Sequence, residues 1–238
     1  MNVPDPSHFQ HVRTWIFDLD KTLYPHDTDL YSQIDVRMTA YVSELLSLSR
    51  EDARRLQKEL YRDHGTTLRG LMDLYNIDPD DFLQKVHDID YSWLKPNPEL
   101  GRAIRALPGR KFIFTNGNRS HAERAAAQLG VLDHFEDIFD IVAAGLVPKP
   151  RRESYETFMA RHGIQGPDAV MFEDLARNLR VPKAMGMKTV LVVPRNLEST
   201  YSEIWERDLG QEDEVDYVTD DLTRFLRLIV RGPAPADI

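Results

Sequence analysis

Thr14-Trp15-Ile16-Phe17-Asp18-Leu19-Asp20-Lys21-Thr22 is the stretch on which the fold turns. Thr14 to Phe17 is a short apolar run that suits a buried strand, and it stops on two carboxylates one residue apart. Alternate residues of a continuing strand share a face. Asp18 and Asp20 therefore point the same way, and the turn that follows can aim both at one ligand above the sheet edge. A nucleophile and a proton donor need that closeness.

Beyond this strand the periodicity changes. Leu30, Ile34, Met38, Tyr41, Val42 and Leu45 recur at three and four, the period of an amphipathic helix. Ser49 with Asp52 forms a capping pair ahead of Ala53, Leu56 and Leu60, and Asp78 before Pro79 opens another helix through Phe82 and Val86. Residues 24–96 read as helical only. Lys95-Pro96-Asn97-Pro98 then resists both helix and central strand and serves as a connection.

After it strands and helices alternate. A helix through Leu100, Ile104 and Leu107 precedes a strand Lys111 to Phe114; a helix from about His121 to Leu129 ends at Gly130. Strands Val170 to Phe172 and Thr189 to Val193, a short strand near Tyr217 and a helix through Leu222, Phe225, Leu226 and Ile229 complete the pattern. This is the signature of β-α units around a parallel sheet. The expected architecture is α/β: a Rossmann-like open parallel core from residues 1–23 and 97–238, with an all-helical cap, residues 24–96, inserted after the first strand. Ligands in open α/β sheets bind at the carboxyl ends of the strands, where such an insertion acts as a lid.

Four polar clusters each read as sitting directly after a strand: Asp18 to Thr22, Thr115-Asn116-Gly117, Lys149-Pro150, and Glu173-Asp174 with Asn178 four residues on. Parallel strands bring such clusters together. Carboxylate oxygens are what a hard cation such as Mg2+ takes. Their order and spacing resemble the haloacid dehalogenase superfamily, and Phe17 to Pro25, Thr115 to Arg119 and Phe172 to Leu179 look like its pyrimidine 5'-nucleotidase-like branch. The resemblance implies that Asp18 attacks phosphorus and Asp20 protonates the leaving oxygen and later activates water. It implies that Thr115, Asn116, Gly117 and Lys149 hold the phosphate, and that Asp18, Asp174 and the Asp20 carbonyl ligate Mg2+. Glu173, Asn178 and Thr22 support these groups from behind.

Departures from that branch are Lys21, where Asn or Gly is expected and which we read as solvated, and Gly117, expected as Ala, whose amide we read as free for phosphate. The four carboxylates Asp18, Asp20, Glu173 and Asp174 face one ammonium, Lys149, so a divalent cation and a protonated Asp20 are needed before a phosphate dianion is welcome. Dehalogenases in this superfamily lack the second aspartate, since a departing halide takes no proton. A sugar-phosphate phosphatase or phosphomutase would use the same residues, and a non-catalytic metabolite-binding protein would need no such set.

Plainer readings stand beside these. Glu173 can cap the helix after its strand; Lys149, next to Arg151 and Arg152, can belong to a solvated basic turn. Tyr24, His26, Asn118 and Arg119 flank the clusters and are candidate substrate contacts or solvated loop residues. The seven histidines other than His26 lack ligand spacing, and most of them read as surface or packing residues.

The formal charge of -9 over 238 residues repels nucleic acid polymers, so the expected partner is a small phosphorylated metabolite captured locally. The chain has no cysteine, which excludes disulfides and thiolate chemistry. Met1 to His11 carry no basic stretch followed by an apolar run, and no apolar run nears the roughly 20 residues that span a bilayer. We expect a cytoplasmic protein without membrane contact and leave its oligomeric state open.

Overall fold

The computed structural model describes residues 3–195, 203, 206 and 214–231. The first strand, β1 (Thr14–Phe17), lies between β2 (Arg110–Phe114) and β4 (Ala169–Glu173) in a six-stranded parallel sheet. Strands β3 (Asp137–Phe139), β5 (Lys188–Val192) and β6 (Tyr217–Thr219) complete it in the order β3-β2-β1-β4-β5-β6. All four residues of β1 are buried, as expected of a central parallel strand covered on both faces. Strand β3 was not foreseen: three residues, Asp-Ile-Phe, are too few to show a period.

The two faces of β1 feed two cores. Trp15 and Phe17 pack with α5 (Pro98–Ala106), α6 (Arg119–Leu129) and α9 (Leu222–Arg231), and the Phe17 and Phe172 rings stack 4.7 Å apart. Ile16 packs on the other side with Phe112, Phe114, Met171 and residues of α7 (Arg152–His162); α8 (Arg180–Ala184) lies before β5. Gly130 takes a left-handed φ of 75° and closes α6 as anticipated.

Between β1 and β2 come α1 (Leu30–Leu46), α2 (Arg50–His64), α3 (Thr67–Tyr75) and α4 (Pro79–Val86). Ser49 accepts from the Asp52 amide at 3.1 Å, and Asp78 from the Asp80 amide at 2.9 Å with Pro79 at the first helical position. These four helices share an apolar cluster of their own, including Ile34, Val42, Leu60, Leu71, Phe82 and Val86. The α1 stripe slips at its end, because Leu45 is 41% exposed while Leu46 packs inward. Ile141, from the loop after β3, is buried in this cluster and ties the helical block to the sheet. Burial of each such side chain is worth roughly 1.5–3 kcal/mol, so the block has its own packing energy. Among the described residues no helix is long and apolar enough to cross a membrane.

Candidate active site

The sheet order sets the site. Because β2 and β4 flank β1, Thr115, Asp18 and Glu173-Asp174 leave neighbouring strands at the same edge. The ladder continues one residue past β1, with the Asp18 amide donating to Phe172 O at 2.9 Å. Lys149 enters from the connection after β3, and its ammonium donates to Asp18 Oδ1 (2.7 Å), Glu173 Oε1 (2.7 Å) and Phe114 O (2.8 Å). Three acceptors match its three protons, and its side chain is 1% exposed, which rules out the solvated-turn reading. Burial works against the charge, yet the Asp18 and Glu173 carboxylates hold the Lys149 pKa above the ordinary lysine range. Asn116 fixes the lysine from its backbone: Lys149 N–H donates to Asn116 Oδ1 (2.9 Å) and Asn116 Nδ2 donates to Lys149 O (3.2 Å).

One oxygen from each of Asp18, Glu173 and Asp174 falls within 4.8 Å of the others. Burial and the neighbouring carboxylates raise the Asp18 pKa to about 7, against the pull of Lys149. Burial, Glu173 and Asp18 likewise lift Asp174 well above the usual carboxylate range. Glu173 goes the other way. Burial opposes its charge, but Lys149, the Leu175 amide (3.0 Å) and Asn178 Nδ2 (2.8 Å) bring its pKa down. Glu173 therefore caps the following turn and pairs with the lysine at once. The donor set of buried, charge-starved carboxylate oxygens fits a hard divalent cation. Asn178 Oδ1, buried and without a donor among the described residues, leaves a further acceptor at the same edge.

Asp20 differs from the expectation of a protonated acid. Burial pushes its pKa up, but His121 Nε2 at 2.8 Å and the Tyr24 hydroxyl at 2.5 Å outweigh it and bring the pKa down to about 2. Without a cation, burial and mutual repulsion favour the protonated forms of Asp18 and Asp174, while its hydrogen-bond donors favour the ionised form of Asp20. His121 is fully buried, with Tyr91 Oη 2.9 Å from Nδ1 and the His87 ring stacked on it at 4.5 Å. His87 and His121 are exceptions to the reading of most of the other histidines as surface or packing residues, because both line or adjoin the cavity at this edge. His121 carried one signal: it stands three residues after Asn118, at the start of α6.

The remaining candidates fall out as follows. Thr115 is buried beside Asp18, and its Oγ1 accepts from the Gly117 amide at 2.9 Å, so that amide is not free for phosphate as supposed. Gly117 is needed for another reason: a Cβ there would meet His121 Cδ2 at 3.0 Å. Asn118 caps α6, accepting from the His121 amide at 2.9 Å, and Arg119 is paired with Asp137 at 2.7 Å and bonded to Ile138 O, so both are committed to structure. Tyr24 is buried on Asp20. Thr22 Oγ1 and His26 Nδ1 are buried without partners among the described residues, and His26 Nε2 lies 3.2 Å from Val192 O. Burial first, then Lys21, lowers the His26 pKa to about 4.

Lys21 corrects its reading as solvated. It is 5% exposed, with Nζ 4.2 Å above the Tyr31 ring and 3.9 Å from Glu206 Oε2. Its φ is +63°, a left-handed conformation that Gly and Asn adopt at least cost. That explains why one of those two is expected there.

The cavity over this edge has a polar floor of Asp18, Asp20, Thr115, Lys149 and Asp174, and its helical side is walled by Ile34, Met38, Leu68, Phe82 and Val86. A polar, carboxylate-rich floor under an apolar wall makes a concave pocket with a few convergent polar groups, the kind that holds a small ligand.

Over residues 12–186 the chain matches the haloacid dehalogenase-like hydrolases, and it belongs to that family. Phosphate metabolism protein 8 of Saccharomyces cerevisiae is 26% identical over 254 residues, which cover 99% of this chain and 78% of the relative. Among solved structures, L-2-haloacid dehalogenase from Xanthobacter autotrophicus superposes with a TM-score of 0.60 at 19% identity, covering 94% of this chain and 100% of that one. A HAD phosphatase from Thermococcus onnurineus gives 0.61 at 19%, covering 93% and 99%. At these identities the two structures show the fold.

Proposed function

We propose that the protein is a Mg2+-dependent phosphoric monoester hydrolase that works through an aspartyl-phosphate on Asp18, with pyrimidine nucleoside 5'-monophosphates as its substrates. The observation that carries this reading is the second carboxylate: Asp20 stands on the same edge as Asp18, positioned by both His121 and Tyr24. A halide needs no proton to leave, whereas a phosphate ester's alkoxide does. The family, and a yeast relative named for phosphate metabolism, are in keeping with it. Tyr31, Tyr61 and Phe82 around the cavity offer a base ring apolar and aromatic contact.

Asp18, Asp174 and the Asp20 backbone carbonyl would hold the cation, with Glu173 behind them; the cation supplies charge neutralisation for the carboxylates and the phosphoryl oxygens. The Thr115 hydroxyl donates to a phosphoryl oxygen, and Lys149, whose three protons go to Asp18, Glu173 and Phe114 O in the empty site, turns one of them to the phosphoryl group when substrate enters. Asp18 forms its bond to phosphorus as the ester P–O bond breaks, and the departing alkoxide takes a proton from Asp20. Asp20, ionised when the site is empty, takes that proton from solvent as the phosphate dianion arrives beside it and raises its proton affinity. It then takes a proton from water, the water oxygen bonds phosphorus, and Asp18 is released with inorganic phosphate.

The test is phosphate release from UMP, CMP, sugar phosphates and an activated aryl phosphate, with and without Mg2+, in wild type and Asp18→Asn, with 2-chloropropionate as the dehalogenase control. Metal- and Asp18-dependent release favouring UMP and CMP is expected. Release from sugar phosphates alone moves the substrate; halide release without phosphate release overturns the reaction.

A further inference from the structure

His87 belongs to the helical block, yet it ends on the catalytic floor. It follows α4 directly and is 5% exposed. Its Nδ1 lies 2.9 Å from Leu83 O, and a carbonyl oxygen can only accept, so Nδ1 carries the ring proton. Burial first, and the neighbouring His121 second, bring its pKa down to about 3, so the ring is neutral. With the proton on Nδ1, Nε2 is an acceptor and nothing else. No described residue donates to it, and the ring lines the cavity beside Asp20, with Nε2 3.7 Å from the point a Gly117 Cβ would occupy. Nε2 is open to the cavity, where water can complete it; a ligand that covered it without offering a donor would leave it unpaired at a cost of about 1–3 kcal/mol.

We propose that His87 is a specificity-determining residue: its Nε2 accepts a hydrogen bond from a hydroxyl on the leaving alcohol, so the enzyme selects phosphate monoesters of hydroxylated alcohols. The proposal rests on the phosphatase reading, because phosphorus over Asp18 is what puts the leaving alcohol within reach of Gly117 and His87. The donor is a hydroxyl, because Leu68, Phe82 and Val86 on the same side of the cavity suit an uncharged group. A site built to bond a hydroxyl rejects the analogue without it strongly, since the acceptor is then buried unpaired.

The experiment compares kcat/KM within two substrate pairs: 1,2-propanediol 1-phosphate against propyl phosphate, and UMP against 2',3'-dideoxyuridine 5'-monophosphate. 4-Nitrophenyl phosphate is the common reference. Wild type should favour the hydroxylated member of at least one pair by about tenfold or more. In His87→Leu the ratio should fall toward one, and His87→Gln, which offers a side-chain oxygen, should recover part of it. The ratio is the readout, so a general loss of activity cancels. If His87 only caps α4, the variants lose thermal stability with the ratio unmoved, and the proposal is wrong. A wild-type ratio near one in both pairs also overturns it while leaving the phosphatase intact. Absence of phosphate release from every substrate removes the underlying reaction and this proposal with it.

Discussion

In the metal-free protein, Asp18→Asn should become more stable relative to wild type as pH rises from about 4 to above 7. Asp18 titrates near 7 in the folded chain against an ordinary 3.8, because burial and the carboxylates of Glu173 and Asp20 outweigh Lys149. Below 3.8 the group is protonated in both folded and unfolded chains and contributes no difference. Between the two values the unfolded chain releases its proton while the folded one keeps it, so wild-type stability falls with pH until the folded group ionises as well. At about 1.36 kcal/mol per pK unit, the loss accumulates to about 4 kcal/mol. Asparagine does not titrate and escapes it. For a chain of this length that difference separates the melting temperatures by roughly 10 °C. Urea or thermal melts of both proteins in EDTA, stepped from pH 4 to 8, give the difference curve, in which pH effects unrelated to Asp18 cancel. Asp20 shifts in the opposite sense: its contribution is present above 3.8 and lost as pH falls toward 2, outside this window. Parallel curves for the two proteins from pH 4 to 8 would refute the picture of a charge-starved nucleophile.

Two more perturbations probe the same charges. Mg2+ at a hundredfold excess over its Kd should stabilise wild type at pH 8 by about 2.7 kcal/mol, with a smaller gain at pH 5, where protons on Asp18 and Asp174 compete. Asp174→Asn should lose most of the pH 8 gain in differential scanning calorimetry, and an undiminished gain would place the cation elsewhere. Lys149→Met strands Asp18 and Glu173 without their shared cation and should cost about 3 kcal/mol in a urea melt at pH 8, together with turnover; a loss below about 1 kcal/mol would mean the lysine is not the keystone its three hydrogen bonds suggest.

The parallel architecture was legible because buried parallel strands announce themselves as apolar runs, and Thr14 to Phe17 runs straight into its carboxylates. Lys149 and Asp174 could be placed near Asp18 since consecutive β-α units bring strand ends to one edge. What escaped the sequence depends on distant chain. Arg119 reads as a free cation until β3 sets Asp137 beside it, and β3 is too short to show a period. His121 and His87 stand far apart in sequence and become neighbours where the chain just after α4 meets α6, with Arg124 donating to His87 O at 3.0 Å, a tertiary fact without a local pattern. Lys21 looked solvated because long charged side chains usually are; its left-handed backbone, and the Tyr31 ring beneath it, turn it inward.

Asn116 holds a lesson for reading mutational screens. Its amide grips Lys149 from both sides of the backbone and, among the described residues, makes no hydrogen bond to a carboxylate of the site. A screen scored on lost turnover will rank it with the groups that do chemistry. Its true standing is that of a template, which keeps the β2 edge and the lysine-bearing loop in register, so that two pieces of chain drifting independently would blur the phosphate position long before the protein unfolded.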